Sequence, residues 1–241
     1  YDPATGRFLS VDPLAEKYYS VSPYAYCAGN PVRFVDPDGR HPIYDEFGSL
    51  LGTDDEGLQG DPIIMNSQYF IQGMSYSDAS AYNLGIGGLS DQYAYDKFHD
   101  SYSGLSSRPD WDGYLTLREV NDWFHSGSGL PLYASLDRLD FYLLFPWGEK
   151  SIGKNKVINL FVNSNNAVDA LVYGQLTLKR YPDQSIRAYS DIYDFDMKPW
   201  ANPRNWGRNV ETIIGRLVAG EGKGFEINLY GSKKIEYYLS K

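Results

Sequence analysis

Sulfur chemistry is nearly absent from this chain, which holds one cysteine, Cys27, and three methionines in 241 residues. A lone cysteine excludes an internal disulfide. Histidine is as scarce: His41, His99 and His125 are all there are, which counts against a His-rich nuclease motif. No apolar run approaches the ~20 residues that a membrane-spanning helix needs. The chain opens on Tyr1 with neither Met nor a signal-peptide pattern, so the expectation is a piece of a longer protein whose export signal lies elsewhere. Positive charge is in deficit, with a formal net charge of -9. Affinity for nucleic acid rests largely on Lys and Arg neutralising phosphates, so nucleic acid is not the expected partner, although a local basic patch remains compatible with the composition. Apolar and aromatic residues are plentiful: 42% of the chain is hydrophobic, and 22 tyrosines bring the aromatic share to 16%. That suffices for a sizeable core and suits strands, stacking surfaces or both, in one large domain or two small ones.

Residues 1–40 read as strands and turns. Asp-Pro pairs at 2–3, 12–13 and 36–37, and Asp38-Gly39, punctuate short Tyr- and Val-bearing stretches that cannot form a core alone. Three phrases stand out: Tyr1-Asp-Pro-x-x-Gly-Arg-Phe-Leu-Ser-x-Asp-Pro, Ser22-Pro-Tyr24-x-Tyr26, and Asn30-Pro31-Val-x-Phe-x-Asp36-Pro37-x-Gly39. Together they resemble the end of the RHS repeat-associated core of bacterial polymorphic toxins. The resemblance implies a β-shell, the RHS core of the parent chain, that encloses a C-terminal toxin. It also implies a cognate immunity protein, and self-cleavage near the last motif in some members. The usual cleavage pattern is Pro, four residues, then Asp-Pro-x-Gly-Leu; here Arg40 replaces the leucine after Asp36-Pro37-Asp38-Gly39. An aspartyl mechanism would use Asp36 and a second carboxylate to activate water. The alternative for the same residues is a plain turn.

The middle region, 41–150, is expected to mix strands and helices. Ile43-Tyr44 and Ile63-Ile64-Met65 look like short strands around an acidic loop, where Asp54, Asp55 and Glu56 read either as a cation site or as a solvated turn. Ser77 and Ser90 are candidate N-caps, with Tyr93, Phe98 and Tyr102 along one face of a helix from about 90 to 102. The stretch Arg108 to Glu119 resembles the second half of an EF-hand loop. In that register Asp110, Asp112, the Tyr114 carbonyl, Thr116 and Glu119 are the candidate calcium ligands. The first loop position, normally Asp, is Arg108. The competing reading is metal-free: Thr116-x-x-Glu119 is a capping box that starts a helix to about Phe124. Leu136, Leu139, Phe141, Leu143, Leu144 and Phe145 are expected mostly in the core, and Pro146-Trp147-Gly148 with the polar run 149–156 suggests a subdomain boundary.

In the C-terminal region, 151–241, residues 157–162 and 170–179 read as strands, and 185–189 as the return strand of a hairpin turning at Pro182-Asp183. A Pro/Trp loop, a helix over 205–218, a Gly-rich turn and a strand at 225–230 follow. Asp191, Tyr193, Asp194 and Asp196 put several oxygen ligands within six residues. In a strand, 191 and 193 share one face and 194 and 196 the other. Asp191, Asp194 and Asp196 are candidate magnesium ligands, since magnesium takes one or two carboxylates together with substrate phosphates. Lys198, Arg204 and Arg208 could clamp phosphate oxygens, or serve as salt-bridge partners of a simple acidic turn.

From 174 to 231 the order of features is a Gly-x-Leu-Thr-Leu-Lys strand, Asp191-x-Tyr193-Asp194-Phe195, an arginine opening a helix, a Gly turn and a closing Phe-x-Ile strand. That order resembles the catalytic domain of colicin M-type bacteriocins, over about a quarter of the chain. The resemblance implies Mg²⁺-dependent cleavage of lipid II, the undecaprenyl-pyrophosphate-linked precursor of peptidoglycan. It implies Asp191, Tyr193 and Asp194 as catalytic residues with Arg208, or Arg204 if the loop is gapped differently. The histidine usual before that arginine is missing, Gly207 or Pro203 standing there, and His125 could be donated from the middle region. Trp200, Trp206 and the tyrosines could meet a prenyl chain.

The expectation is therefore an α+β chain: the end of an RHS core at 1–40, an α+β middle region at 41–150, and a colicin M-like, β-rich toxin subdomain with one main helix at 151–241. Its expected role is a delivered antibacterial effector that meets a lipid-linked substrate at the membrane surface, in the periplasm of the target cell. The alternatives are a toxin of another class such as a nuclease, or a non-enzymatic module, calcium-stabilised or inactive.

Overall fold

The computed structural model describes residues 40–144, 147–148, 151–193 and 222–234. The expectations for residues 1–39, for Asp194, Asp196 and Lys198, for the loop with Trp200, Arg204 and Trp206, and for the helix with Arg208 lie outside them. Within them the fold is α+β, as expected: three small sheets and a set of short helices.

The first sheet joins β1 (Pro42–Tyr44), β2 (Leu50–Thr53) and β3 (Ile63–Ile64) in the order β2-β1-β3. β1 and β2 form an antiparallel hairpin, and β3 runs parallel to β1. The hairpin turn is written in Asp45 and Gly48. The Asp45 carboxylate accepts the Phe47 and Ser49 N–H groups at 2.9 and 2.7 Å. Gly48 sits at φ +75, where a Cβ would lie 2.2 Å from the Ala94 carbonyl oxygen.

Two helices follow, α1 (Tyr76–Ala81) and α2 (Gln92–Gly104), with caps displaced from those expected. Ser75, not Ser77, caps α1, because its hydroxyl meets both the Asp78 N–H and the Asp78 carboxylate. Asp91, not Ser90, caps α2 by accepting from Ala94 N at 2.8 Å, while Ser90 N is taken by the Glu46 carbonyl. Phe98 and Tyr102 stack on each other and face Tyr44. Tyr93 does not share that face: it stands five residues before Phe98, about 140° round the helix, and is 77% exposed.

α3 (Leu117–Ser126) leads into β4 (Leu132–Ser135). β5 (Asn155–Asn159), α4 (Leu160–Asn163), α5 (Ala167–Tyr173), β6 (Gln175–Arg180), β7 (Ser185–Ala188), β8 (Asp191–Tyr193), β9 (Phe225–Tyr230) and β10 (Lys233–Lys234) follow. The β6–β7 hairpin is as expected, but two stretches read as strand are helical. The strand expected at 157–162 ends at Asn159, whose side chain caps α4 through Phe161 N at 2.9 Å. Residues 170–173 belong to α5, which Asn166 caps and Gly174 terminates at φ +55. A short apolar run does not by itself choose between helix and strand, and here the capping residues decide.

The second sheet is antiparallel throughout, in the order β10-β7-β6-β5. The third, β4-β9-β8, crosses the expected boundary near residue 150: β4 from the middle region pairs in parallel with β9 from the C-terminal region. Both faces of this sheet are covered at β4, while Ile192 on β8 and its partner Glu226 on β9 are exposed. Leu132 and Ala134 enter the main core with Val120, Phe124, Ile158 and Ile227, while Tyr133 packs on the other side with Leu58, Leu105 and Tyr230. Parallel pairing goes with burial on both sides, which explains why Leu132, Tyr133 and Ala134 are all buried.

Candidate functional site

The expected catalytic strand is β8. It pairs antiparallel with β9, bringing Asp191 opposite Ile227 and Tyr193 opposite Phe225. Alternation along a strand puts Asp191 and Tyr193 on one face. Tyr193 shows what that face meets. Its ring stacks on Phe225 at 5.3 Å, meets Phe124 edge-on at 6.2 Å, and its hydroxyl donates to Asn121 Oδ1 at 2.8 Å. Burial pushes the phenol up to about 12. Tyr193 is thus a packed support beneath the strand and the tie between β8 and α3. Asp191 is half-buried, and its Oδ1 accepts the Ile192 N–H at 2.9 Å. His125 lies four residues after Asn121, one turn further along α3, and is exposed. Asp194, Asp196, Arg204 and Arg208 lie outside the described residues.

The loop from Arg108 to Glu119 is built around an ion pair. Arg108 donates from Nε to Asp110 Oδ1 at 2.9 Å and from Nη2 to Asp110 Oδ2 at 2.7 Å, and Nη2 also reaches the Pro131 carbonyl. Asp110 is 1% exposed, and its Oδ2 accepts Tyr133 N as well. The guanidinium lies over Trp123 and Tyr133, at 5.1 and 5.8 Å. Burial alone would lower the Arg108 pKa, but the hydrogen bonds and charge of Asp110 reverse this and hold it above its ordinary value.

The other candidate calcium ligands are also engaged. Asp112 accepts from Tyr114 N and pairs with Arg138. Glu119 accepts from Thr116 N and Oγ1 while the Thr116 side chain accepts from Glu119 N, which is the capping box expected as the metal-free reading. Gly113, at φ +75, makes the turn, and a Cβ there would lie 2.2 Å from the Tyr230 hydroxyl. The donor set as arranged does not fit calcium, because its carboxylates already bind protein donors. Among the described residues, no group of three or more His, Cys, Asp or Glu is disposed to hold a metal ion.

No family model matches this chain. Over 40 residues, 17% of its length, it is 50% identical to Salivary gland surface protein 1 of Aedes aegypti, and it spans 1% of that protein. Among solved structures it overlaps PaeM, a colicin M-like bacteriocin of Pseudomonas aeruginosa, at TM-score 0.34 and 19% identity, covering 60% of this chain and 62% of that one. Pectocin M2 overlaps at TM-score 0.30 and 18% identity, over 48% of each chain. Syringacin M of Pseudomonas syringae pv. tomato overlaps at TM-score 0.28 and 21% identity, over 48% and 49%. The chain thus spans about half to three fifths of the length of these bacteriocins. Overlap this partial and loose leaves function to be read from residues.

Two polar clusters escaped the sequence reading. In the first, Asp54 is not a solvated turn residue but wholly buried. Its Oδ1 accepts the N–H groups of His41, Glu56 and Gly57, and its Oδ2 lies 2.8 Å from His41 Nδ1. The His41 ring stacks on Tyr76 at 4.3 Å. The signal was the hairpin register: once Pro42 pairs with Thr53, residues 41 and 54 are the next pair out. In the second, Asp169 is buried on α5 and accepts from the Tyr114 hydroxyl at 3.2 Å and Asp140 N at 2.8 Å. Burial raises its carboxyl pKa, and the hydrogen bonds from Asp140 N and Tyr114 only partly offset this. On the same helix the Tyr173 hydroxyl is buried with no hydrogen-bond partner, and burial raises it well above the ordinary phenol value.

Proposed function

We propose that this chain carries an antibacterial toxin domain that hydrolyses a lipid-linked pyrophosphate, with lipid II as the substrate. The observation that carries the reading is the sequence Asp191-Ile-Tyr193-Asp194-Phe195, which begins on β8, between the Gly174-to-Lys179 phrase and the closing strand at Phe225. What supports the reading is that Gln175 to Lys179 of the first phrase lie on β6, Asp191 to Tyr193 of the acidic phrase on β8, and the last phrase on β9. Support also comes from the fixing of Tyr193 by Asn121, which holds the Asp191 face of β8 against α3.

In this reading Asp191 and Asp194 orient and deprotonate the attacking water. Arg208, or Arg204, faces the pyrophosphate and offsets the negative charge that grows on the leaving group. The hard carboxylate oxygens of Asp191, Asp194 and Asp196 suit magnesium, which when bound would supply further charge neutralisation at the same phosphates. Delivery by an RHS shell, neutralisation by an immunity protein and action in the target periplasm complete the proposal. The test is turnover of purified lipid II by the 241-residue chain with and without Mg²⁺, beside Asp194→Ala. Metal-dependent release of the pyrophosphate-linked product, lost in the variant, is the expected result. A folded protein without turnover under any divalent cation would overturn the proposal.

A further inference from the structure

We propose that the outward face of the second sheet binds an oligophosphate through Lys179, Arg187 and Lys234. The register puts all three on one face. Lys179 on β6 stands directly opposite Arg187 on β7, and Asn155 on β5 stands opposite Lys179 from the other side. Lys234 on β10 stands opposite Ser185, two residues before Arg187, which makes it a diagonal neighbour of Arg187. Burial shows which face this is. Leu176 and Leu178 are buried on the inner side of β6, whereas Asn155, Arg187 and Lys234 are exposed and Lys179 is half-buried. The other cations of the sheet lie on its inner face and are engaged there: Arg180 with the Trp147 carbonyl and Gln184, Lys156 over the Trp147 ring, and Lys233 with the Leu139 carbonyl.

Like charges directly opposite each other on a sheet are destabilising, so the pairing of Lys179 with Arg187 calls for a counterweight. The protein supplies part of it: both cations lie over the Tyr181 ring, at 5.6 and 5.1 Å. No carboxylate supplies the rest. The four strands contain no acid, and among the described residues Lys179, Arg187 and Lys234 make no ion pair. Asp183, in the β6–β7 turn, has its Oδ1 taken by the Ser185 N–H and hydroxyl. The Ser185 hydroxyl, and then its N–H, hold that carboxyl below the ordinary value, and Arg187 contributes least. Burial raises the Asp55 carboxyl more than the Arg187 charge lowers it.

The donors define the anion. Arg187 offers a planar fork that matches phosphate oxygens, while Lys179 and Lys234 offer compact point charges. Asn155 Oδ1 accepts the Tyr189 hydroxyl, so the amide N–H groups of Asn155 are the donors left to it in the row with Lys179 and Arg187. A singly charged anion satisfies one of these cations. Linked phosphoryl groups bring a charge to each, across strands about 4.8 Å apart.

The inference does not depend on the reaction proposed above, since none of these residues belongs to its site, and its test contains neither lipid II nor Mg²⁺. Inorganic tripolyphosphate is titrated calorimetrically into the whole chain, beside inorganic phosphate, ATP and sodium chloride at matched ionic strength. Saturable binding of tripolyphosphate is expected, with phosphate at least about tenfold weaker. ATP equal to tripolyphosphate would mark the bare phosphate chain as the ligand, and tighter ATP a nucleotide; both support the site. Arg187→Gln, Lys179→Gln and Lys234→Gln should each weaken tripolyphosphate by about tenfold or more, while Arg118→Gln on α3 should leave it unchanged. Thermal unfolding without ligand checks the fold of each variant. No binding of tripolyphosphate by the parent protein, an equal response to chloride or to phosphate, or undiminished binding in the folded variants would each overturn the proposal.

Discussion

Arg108 grips Asp110 with two hydrogen bonds, at 2.9 and 2.7 Å, and Tyr133 N closes on the same carboxylate from β4 at 2.9 Å. This pair joins the turn before α3 to the sheet that spans the middle and C-terminal regions. Arg108→Ala would leave Asp110 buried with one backbone donor. Removing one partner of a buried pair costs about 3–5 kcal/mol; because the Arg108 side chain is slightly exposed, the lower end is expected. Urea denaturation measures it, and a loss under about 1 kcal/mol would mean that the pair behaves like a surface ion pair.

How much of this was legible depends on where the signal sits. The capping box Thr116–Glu119, the β6–β7 hairpin and the strands at Ile43 and Ile63 are local patterns, and local patterns are readable. The helix at 167–173 was not, because Ala170 to Tyr173 is an apolar run that suits either element, and Asn166 and Gly174 are its only punctuation. Arg108 was noticed as a misfit in a calcium loop, but its role depends on Pro131 and Tyr133, more than twenty residues away. The partnership of β4 with β9 is a parallel pairing across ninety-odd residues, and nothing local announces it. Of the candidate site, the face shared by Asp191 and Tyr193 followed from strand alternation, whereas the contact of Tyr193 with Asn121 required the tertiary fold.

Tyr173→Phe should stabilise the protein. The hydroxyl is buried without a partner, and deleting an unsatisfied polar group relieves a desolvation cost of about 1–3 kcal/mol while leaving the ring in place. A rise in the urea midpoint at unchanged slope is expected. A fall would show that the hydroxyl is satisfied in solution, for example by an internal water.

Asp169 should make stability fall as pH rises through the acid range. Burial raises its folded pKa above the ordinary value of about 3.9, so the native state holds this proton more tightly than the unfolded chain. That contribution is complete below the unfolded pKa and is lost as pH climbs through the folded pKa. Asp169→Asn keeps an acceptor for Asp140 N, offers Tyr114 an amide N–H where the carboxylate accepted its hydroxyl, and cannot ionise. The variant should therefore match the parent at about pH 3 and gain on it toward neutrality. Parallel unfolding curves from pH 3 to 7 test this; a constant difference would show that the ionisation of Asp169 is not linked to folding.

Tyr193 and Asp191 share a face of β8 but should separate cleanly by mutation. Tyr193 spends its hydroxyl on Asn121 and its ring on Phe225 and Phe124, so its contribution is to hold the strand. Tyr193→Phe should cost about 1 kcal/mol of stability, and Asn121→Ala a similar amount. The double variant should cost little more than either, because both remove the same bond. Lipid II turnover by Tyr193→Phe should stay within about tenfold of the parent, through KM or kcat alike, whereas Asp191→Asn should abolish turnover with the fold intact. If Tyr193→Phe abolishes turnover while costing no stability, the phenol leaves Asn121 during the reaction and acts on the substrate itself. If neither variant affects a measurable turnover, β8 is not the catalytic strand.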